Sequence, residues 1–247
     1  GWEIIGVLNN DMIGNIEGVD GVIDNRSFRI FSEPFSFNPK YANGLNMRTQ
    51  GGENDGLSRQ LARYVHKTVR KYMPELNPIM IYRLDRFGRG GHHRPFNDEG
   101  FAGIRIMEAH ENYIRQHNDI RNENGIDYGD VLSGVNFDYA AKLTSVNAIS
   151  LASIASSPKP PQNLKIGGIV EPSVRFRWEQ PDDSSIIGYK IYWRETTSST
   201  WEYSKTIGLV DNYILEGIVI DNFIFGVSSI NSEGYESLVV FPGSTFR

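Results

Sequence analysis

A proline-rich stretch near the middle of the chain separates two parts that differ in their residue patterns. The stretch reads ASIASSPKPPQNL, and its Pro158, Pro160 and Pro161 favour an extended linker because proline cannot continue a helix. The segment before it (136–155) has apolar residues at helical spacing and begins at an Asn that can cap a helix. We therefore predict a helix that ends at a linker, with a separate domain on either side.

After the linker, short runs alternate apolar and polar residues. Turn-rich segments separate these runs, which are VRFRW (174–178), GYKIYWR (188–194), WEYSKTI (201–207) and DNFIFGVSSIN (221–231). A period of two is typical of strands that bury one face, and several such strands in series are typical of a β-sandwich. The sequence predicts an all-β, immunoglobulin-like sandwich over residues 158–247.

Before the linker, apolar runs alternate with helical patterns. Candidate strands lie at 3–10, 28–32, 78–84 and 103–108, and candidate helices lie at 55–73, near 95–100 and at 136–156. Strands that alternate with helices indicate an α/β layered fold with a largely parallel sheet. We assign this domain to residues 1–157.

The composition excludes several classes of function. The 247 residues include no cysteine, so disulfides and thiol chemistry are excluded. The net charge is −5 and neither half is basic, so we expect no nucleic-acid partner. No apolar run reaches the length of a membrane span, so we expect none.

Polar residues follow the strands of the first part, at the edge where α/β sheets usually carry their sites. Asp11 follows the first strand, and the loops after the third and fourth strands read DRFGRGGHHRPF (85–96) and EAHENYIRQHND (108–119). Four of the five histidines lie in these two loops, namely His92, His93, His110 and His117. Clustered imidazoles and carboxylates suit zinc.

Spacing alone leaves a second interpretation open, in which Asp11 caps a turn and the histidines are surface loop residues. The fifth histidine, His66, lies on a helix rich in Lys and Arg and is predicted to be solvated. The acids of GGENDG (51–56) are predicted to cap the helix that follows them.

Five segments of the first part carry a resemblance to a known family. They are NNDMIGN (9–15), SRQLARY (58–64), RLDRFGRGGHHRPF (83–96), EGFAGIRIMEAHENYIRQHND (99–119) and VNFDYAAKLTSVNAISLASIA (135–155). In this order they resemble the co-catalytic di-zinc exopeptidases, metallopeptidase family twenty-eight, which includes bacterial leucyl aminopeptidases. The resemblance implies a three-layer (phosphorylase/hydrolase-like) zinc-exopeptidase fold. It also implies two zinc ions and hydrolysis of a peptide substrate by a metal-activated water.

The resemblance also implies roles for particular residues. Asp11 and His117 fall at terminal ligand positions, one for each zinc ion, and Tyr113 at a position that helps stabilise the tetrahedral intermediate. The residues assigned to the substrate pocket are Arg86, His92, His93 and Glu108. His92 stands where the family has an aspartate, which changes the charge and hydrogen bonding of that pocket.

The family's first His ligand, its bridging Asp and its Glu-Glu pair fall upstream of Gly1. We therefore expect this chain to be the C-terminal part of such a peptidase, to bind zinc weakly or not at all, and to be inactive alone. A sheet edge left open by missing strands is expected to promote self-association.

The second part resembles a fibronectin type III module. The residues that carry the resemblance are PPQNL (160–164), Trp178, YKIYWR (189–194) and FIFGVSSINSEGYES (223–237). Phe223 replaces the usual corner tyrosine, and we expect Trp193 and Trp201 to pack between strands. The resemblance implies that the module braces the first domain or engages a surface, polysaccharide or protein partner. It also implies a periplasmic or secreted parent protein.

Two other functions remain open from the sequence. The first is a non-catalytic binding protein, built on a degenerate peptidase domain and a fibronectin type III module. The second is glutaminyl cyclase chemistry on the same fold, although the acid-lined one-zinc pocket of that activity is not found in the sequence.

Overall fold

The computed structural model describes residues 3–36 and 48–246. The elements of the first part are β1 (Val7–Asn10), β2 (Ser27–Ser32), α1 (Leu57–Tyr72), β3 (Asn77–Ile81), α2 (Arg94–Asp98), β4 (Gly103–Glu108), β5 (Arg121–Glu123), β6 (Ile126–Tyr128) and α3 (Phe137–Ala155). The elements of the second part are β7 (Gln162–Gly167), β8 (Val174–Glu179), β9 (Ile186–Glu195), β10 (Tyr203–Ile207), β11 (Asn212–Leu215), β12 (Phe223–Asn231) and β13 (Ser244–Thr245).

The sheet of the first part has the order β1-β4-β2-β3 and is mixed. The pairs β1–β4 and β2–β3 are parallel, whereas β2 and β4 are antiparallel. Two of the three strand pairs are thus parallel, in line with the prediction of a largely parallel sheet, but the antiparallel β2–β4 pair was not predicted. Ile30 and Ile106 are register partners, and both would be buried whether their strands ran parallel or antiparallel. The pattern of apolar residues along a strand therefore does not reveal the direction of the strand.

Helices α1 and α3 pack on each other and, with β2 and β4, form one core. Leu61, Val65 and Val69 lie one turn apart on α1 and are fully buried. At the start of α3, the Asn136 side chain accepts a hydrogen bond from the backbone N–H of Tyr139 at 2.8 Å, so the predicted cap is confirmed. No helix in the described parts of the chain is both long and apolar enough to cross a bilayer.

Several predicted bounds were too generous. Strand β1 begins at Val7 and not at residue 3, because its partner β4 begins at Gly103, the register partner of Val7. Strand β3 ends at Ile81 and not at residue 84, since Ile81 pairs with Phe31 near the end of β2. In both cases the partner strand limits the length.

The second part is a β-sandwich of two sheets, with the orders β10-β9-β12 and β11-β8-β7-β13. Trp178 and Tyr189 meet edge to face at 5.0 Å between the ring centroids and lie in a core that the two sheets share. Trp193 stacks on Tyr203 of the neighbouring strand at 5.6 Å, as predicted for strand packing. Phe223 also packs against this core.

A buried ionic network joins α1 to the sandwich. The Asp55 carboxylate accepts hydrogen bonds from Arg63 of α1 at 2.7 Å and from Arg194 of β9 at 2.8 Å, and all three side chains are at most 3% exposed. Arg63 also donates to the backbone carbonyl of Ser199 at 2.9 Å. These contacts fix the sandwich against the helical face of the first part.

The same network overturns the prediction that the acids of GGENDG cap α1. The N-cap residue of α1 is Gly56, and no side chain caps the helix. Asp55 instead binds two arginines, because both guanidinium groups are buried and require a counter-charge. The prediction that His66 is solvated was also wrong, since the residue is half-buried. Burial lowers the pKa of its ring, and the charge of the nearby Arg70 lowers it further.

Candidate functional site

The candidate site lies at the carboxyl edge of the parallel β1–β4 pair. Asp11 follows β1, and its backbone N–H donates to the carbonyl of Ile106 on β4 at 3.3 Å. Glu108 ends β4, and its backbone N–H donates to the carbonyl of Met12 at 2.9 Å. The two bonds fix the loop that carries Asp11 against the end of β4, as expected for neighbouring parallel strands.

A buried arginine clamps two aspartates beside this edge. Arg105 of β4 is fully buried, and its Nη2 lies 2.9 Å from Oδ2 of Asp11. Its Nη1 lies 2.9 Å and 2.8 Å from the two carboxylate oxygens of Asp85. Burial alone would raise the pKa of Asp85, but hydrogen bonds from Arg105 and from the Arg86 backbone N–H outweigh it and lower that pKa. Asp85 is therefore ionised and holds Arg105 in place.

His93 is fully buried in the loop between β3 and β4. Its Nε2 lies 2.9 Å from the carbonyl oxygen of Leu84, and because a carbonyl only accepts, Nε2 carries the proton. Among the described residues Nδ1 has no hydrogen-bond partner. Burial lowers the pKa of the ring, and this effect outweighs the hydrogen bond to Leu84, which raises it. His93 is therefore neutral at neutral pH.

Arg86 links the two polar loops through Glu111. The Glu111 carboxylate accepts hydrogen bonds from Arg86 and from Arg29 of β2, each at 3.1 Å, and from Gln116 at 3.3 Å. Burial raises the pKa of Glu111, but the bonds from the two arginines outweigh it and lower that pKa. Arg86 therefore positions the loop after β3 against the loop after β4.

Glu108 lines a cavity of about 280 Å³ at this edge. Other lining residues include Met12, Asn15, Arg115, Val131 and Val135. The Glu108 side chain is 3% exposed and accepts one hydrogen bond, from the backbone N–H of Asn15 at 3.3 Å. Burial raises the pKa of its carboxyl to about 8, so the group is mostly protonated at neutral pH.

Other predicted site residues lie at the surface. His92 is exposed, Tyr113 is 53% exposed, and His117 is exposed with a left-handed backbone (φ +56°). No contact within the described ranges joins His117 to Asp11. A larger cavity of about 470 Å³ lies between the start of α1 and the sandwich, and none of the predicted site residues lines it.

The described residues do not by themselves fit a complete zinc site. Within 3–36 and 48–246, no group of three or more His, Asp or Glu residues is arranged to hold a metal ion. Asp11 and His117 would each supply one protein ligand, whereas a zinc ion in a catalytic site takes about three.

Arg115 also lines the cavity that Glu108 lines and was not among the predicted site residues. Its only sequence signal was its position two residues before His117, in the loop that follows β4. That loop was expected to carry metal ligands, and a guanidinium does not bind metals.

No protein-family model matches the sequence. Among solved structures, the chain is similar to a fibronectin type III domain of human collagen alpha-1(XX) chain (20% identity, 35% of this chain and 82% of that one, TM-score 0.30). It is also similar to a fibronectin type III-like protein from Clostridium thermocellum (17% identity, 34% of this chain and 86% of that one, TM-score 0.29).

Curated relatives cover nearly the whole chain. A protein of Phaeosphaeria nodorum named "Probable zinc metalloprotease" is 34% identical over 243 residues, which are 97% of this chain and 49% of that protein. Proteins with similar names from Pyrenophora tritici-repentis (33% identity) and Leptosphaeria maculans (36% identity) also match 97% of this chain, and 56% of their own length. The chain is thus homologous over almost all its length to proteins named probable zinc metalloproteases, and it spans about half the length of these relatives.

Proposed function

We propose that this chain is part of a zinc-dependent exopeptidase of the aminopeptidase type, a member of metallopeptidase family twenty-eight. Asp11 supplies a terminal ligand for one zinc ion and His117 for the other. The observation that carries the proposal is the position of Asp11, which is 42% exposed at the carboxyl edge of β1 beside a cavity of side-chain size. The names of the relatives support the zinc peptidase class.

In this proposal Arg105 orients the Asp11 carboxylate. The bond at 2.9 Å engages Oδ2, and within the described residues no hydrogen bond or ion pair engages Oδ1, so this oxygen is available to a cation. A partner that fixes a ligating carboxylate is a usual part of metal sites. Since the described residues do not complete a zinc site, we expect the 247-residue chain alone to bind zinc weakly and to have no peptidase activity.

The remaining residues belong to the substrate side of the site. The cavity lined by Glu108 receives a side chain of the peptide substrate, and Tyr113, an exposed residue next to the lining Asn112 in sequence, donates to a developing oxyanion. Arg86 and His93 position the surrounding loops, and His92 is exposed to the approaching substrate. The sandwich braces the peptidase part and can engage a surface or polysaccharide partner of an exported protein.

One observation favours a second candidate, a non-catalytic binding protein. The Asp11 carboxylate shares the charge of the fully buried Arg105 with Asp85, and this partial compensation weakens its attraction for a metal ion. If the site is degenerate, the peptidase part and the sandwich act together as an interaction platform.

Hydrolysis of an aminoacyl anilide distinguishes the two candidates. We expect the full-length gene product to hydrolyse it, to lose this activity with a chelator and to regain it with zinc, whereas the 247-residue chain is inactive. Asp11→Asn should abolish the activity, and Asp20→Asn, which changes an exposed loop acid, should not. A full-length product without chelator-sensitive turnover supports the binding protein instead.

A further inference from the structure

One arginine of the cavity has no counter-charge. The guanidinium of Arg115 makes no hydrogen bond and no ion pair with any residue in the described ranges, and its Nε is buried without a partner. The neighbouring Arg29, Arg86 and Arg105 all bind carboxylates. A half-buried guanidinium without a counter-charge is unfavourable, so Arg115 gains from an anionic ligand that its terminal nitrogens reach.

Gly134 fixes the position of this guanidinium in the cavity wall. A Cβ added to Gly134 would lie 2.3 Å from Nη1 of Arg115 and 3.0 Å from its Cζ. The guanidinium therefore lies against the backbone of Gly134, in space that any other residue would fill. The cavity wall thus holds the guanidinium of Arg115 in place, and the side chain does not extend freely into solvent.

Apart from Asp130, the other polar groups of the cavity do not repel a negative ligand. The side-chain amides of Asn15, Asn112 and Gln116 are already hydrogen-bonded to neighbouring protein groups. Glu108 carries a raised pKa of about 8, so at neutral pH it mostly offers an O–H donor. Asp130 is the other acid of the lining, and it is exposed and makes no ion pair with Arg115 within the described ranges.

We propose that this cavity binds the carboxylate of an acidic peptide side chain, glutamyl or aspartyl, through the guanidinium of Arg115. A guanidinium recognises a carboxylate through two parallel hydrogen bonds, which gives both charge and geometric selectivity. The volume of about 280 Å³ suits one side chain and not a whole peptide. The inference rests on the proposed function only in taking the ligand to be a peptide residue.

Isothermal titration calorimetry of the 247-residue chain tests this inference at neutral pH with a chelator present. L-glutamate, L-glutamine and L-methionine share their α-carboxylate and α-amino groups, so differences between them report the side chain. We expect L-glutamate to bind at least about tenfold more tightly than the other two, as a charge-assisted bond to a half-buried guanidinium implies.

Two variants locate the binding. Arg115→Met should weaken L-glutamate binding at least about tenfold and leave L-glutamine binding nearly unchanged. Arg121→Met makes the same change in charge at an arginine outside the cavity, paired with Glu123 at 3.0 Å, and should leave both unchanged. Circular dichroism melting of each variant shows whether it folds. A third variant, Gly134→Ala, displaces Arg115 without removing it and should also weaken L-glutamate binding.

Equal binding of the three amino acids, an unaffected Arg115→Met variant or no measurable binding of L-glutamate overturns the inference. These outcomes are separate from a failure of the proposed function, because the titration requires neither zinc nor turnover. Chelator-sensitive hydrolysis without glutamate selectivity would remove this inference alone. Glutamate binding without hydrolysis in the full-length product would remove the peptidase proposal alone.

Discussion

The ionic network around Asp55 provides a sharp test of how the two parts of the chain are joined. Asp55→Asn keeps the size of the side chain and removes the charge that faces Arg63 and Arg194, both almost fully buried. Breaking a buried ion pair by removing one partner costs about 3–5 kcal/mol, because the remaining charge is left without compensation. With roughly 2–4 °C per kcal/mol for a chain of this length, the melting temperature should fall by about 6–20 °C.

Urea unfolding followed by circular dichroism and by tryptophan fluorescence measures this loss. The matched control is Glu171→Gln, which makes the same chemical change at a partly exposed pair with Arg175 at 2.7 Å and should cost at most about 1 kcal/mol. If Asp55→Asn lowers the free energy of unfolding no more than the control does, the buried network does not stabilise the junction and the reasoning is refuted.

Two further predictions concern pH and association. In the folded state the pKa of Glu108 is about 8, whereas in the unfolded chain it is near 4.5, so the free energy of unfolding should fall as the pH rises between these values. Glu108→Gln should reduce this pH dependence. Urea unfolding at several pH values measures it, and an equal pH dependence in the wild type and the variant would contradict the prediction. Within the described residues β1 pairs with another strand on one side only, and Ile5, just before it, is 48% exposed. We therefore expect the chain to self-associate at micromolar concentration through this edge. Ile5→Lys should weaken the association, and the control Val19→Lys, at another exposed residue, should not. A monomeric wild type in light scattering would contradict this.

Local patterns predicted much of the fold. The helical spacing of residues 136–155 and the capping Asn136 predicted α3 almost to its ends, since both signals lie within the segment itself. The antiparallel β2–β4 pair was missed because strand direction depends on how distant segments pair. The register of β2 against β4 joins residues more than seventy positions apart, and no local pattern encodes it.

The candidate site shows the same division. Asp11 and Glu108 were found because strand ends are visible in sequence, and the structure places both at the carboxyl edge of β1 and β4. Asp55 was mistaken for a cap because its partner Arg194 lies 139 positions away. Arg115 was missed because its feature is the lack of an ion pair or side-chain hydrogen bond within the described residues, which only the folded arrangement reveals.

The most direct test of the account is the zinc content of the full-length gene product after dialysis, measured for the wild type, Asp11→Asn and Asp20→Asn. The account predicts zinc in the wild type and in Asp20→Asn, clearly less in Asp11→Asn, and none above background in the 247-residue chain. Wild-type zinc content in Asp11→Asn would contradict the assignment of Asp11 as a ligand, and with it the central claim that this sheet edge is part of a zinc site.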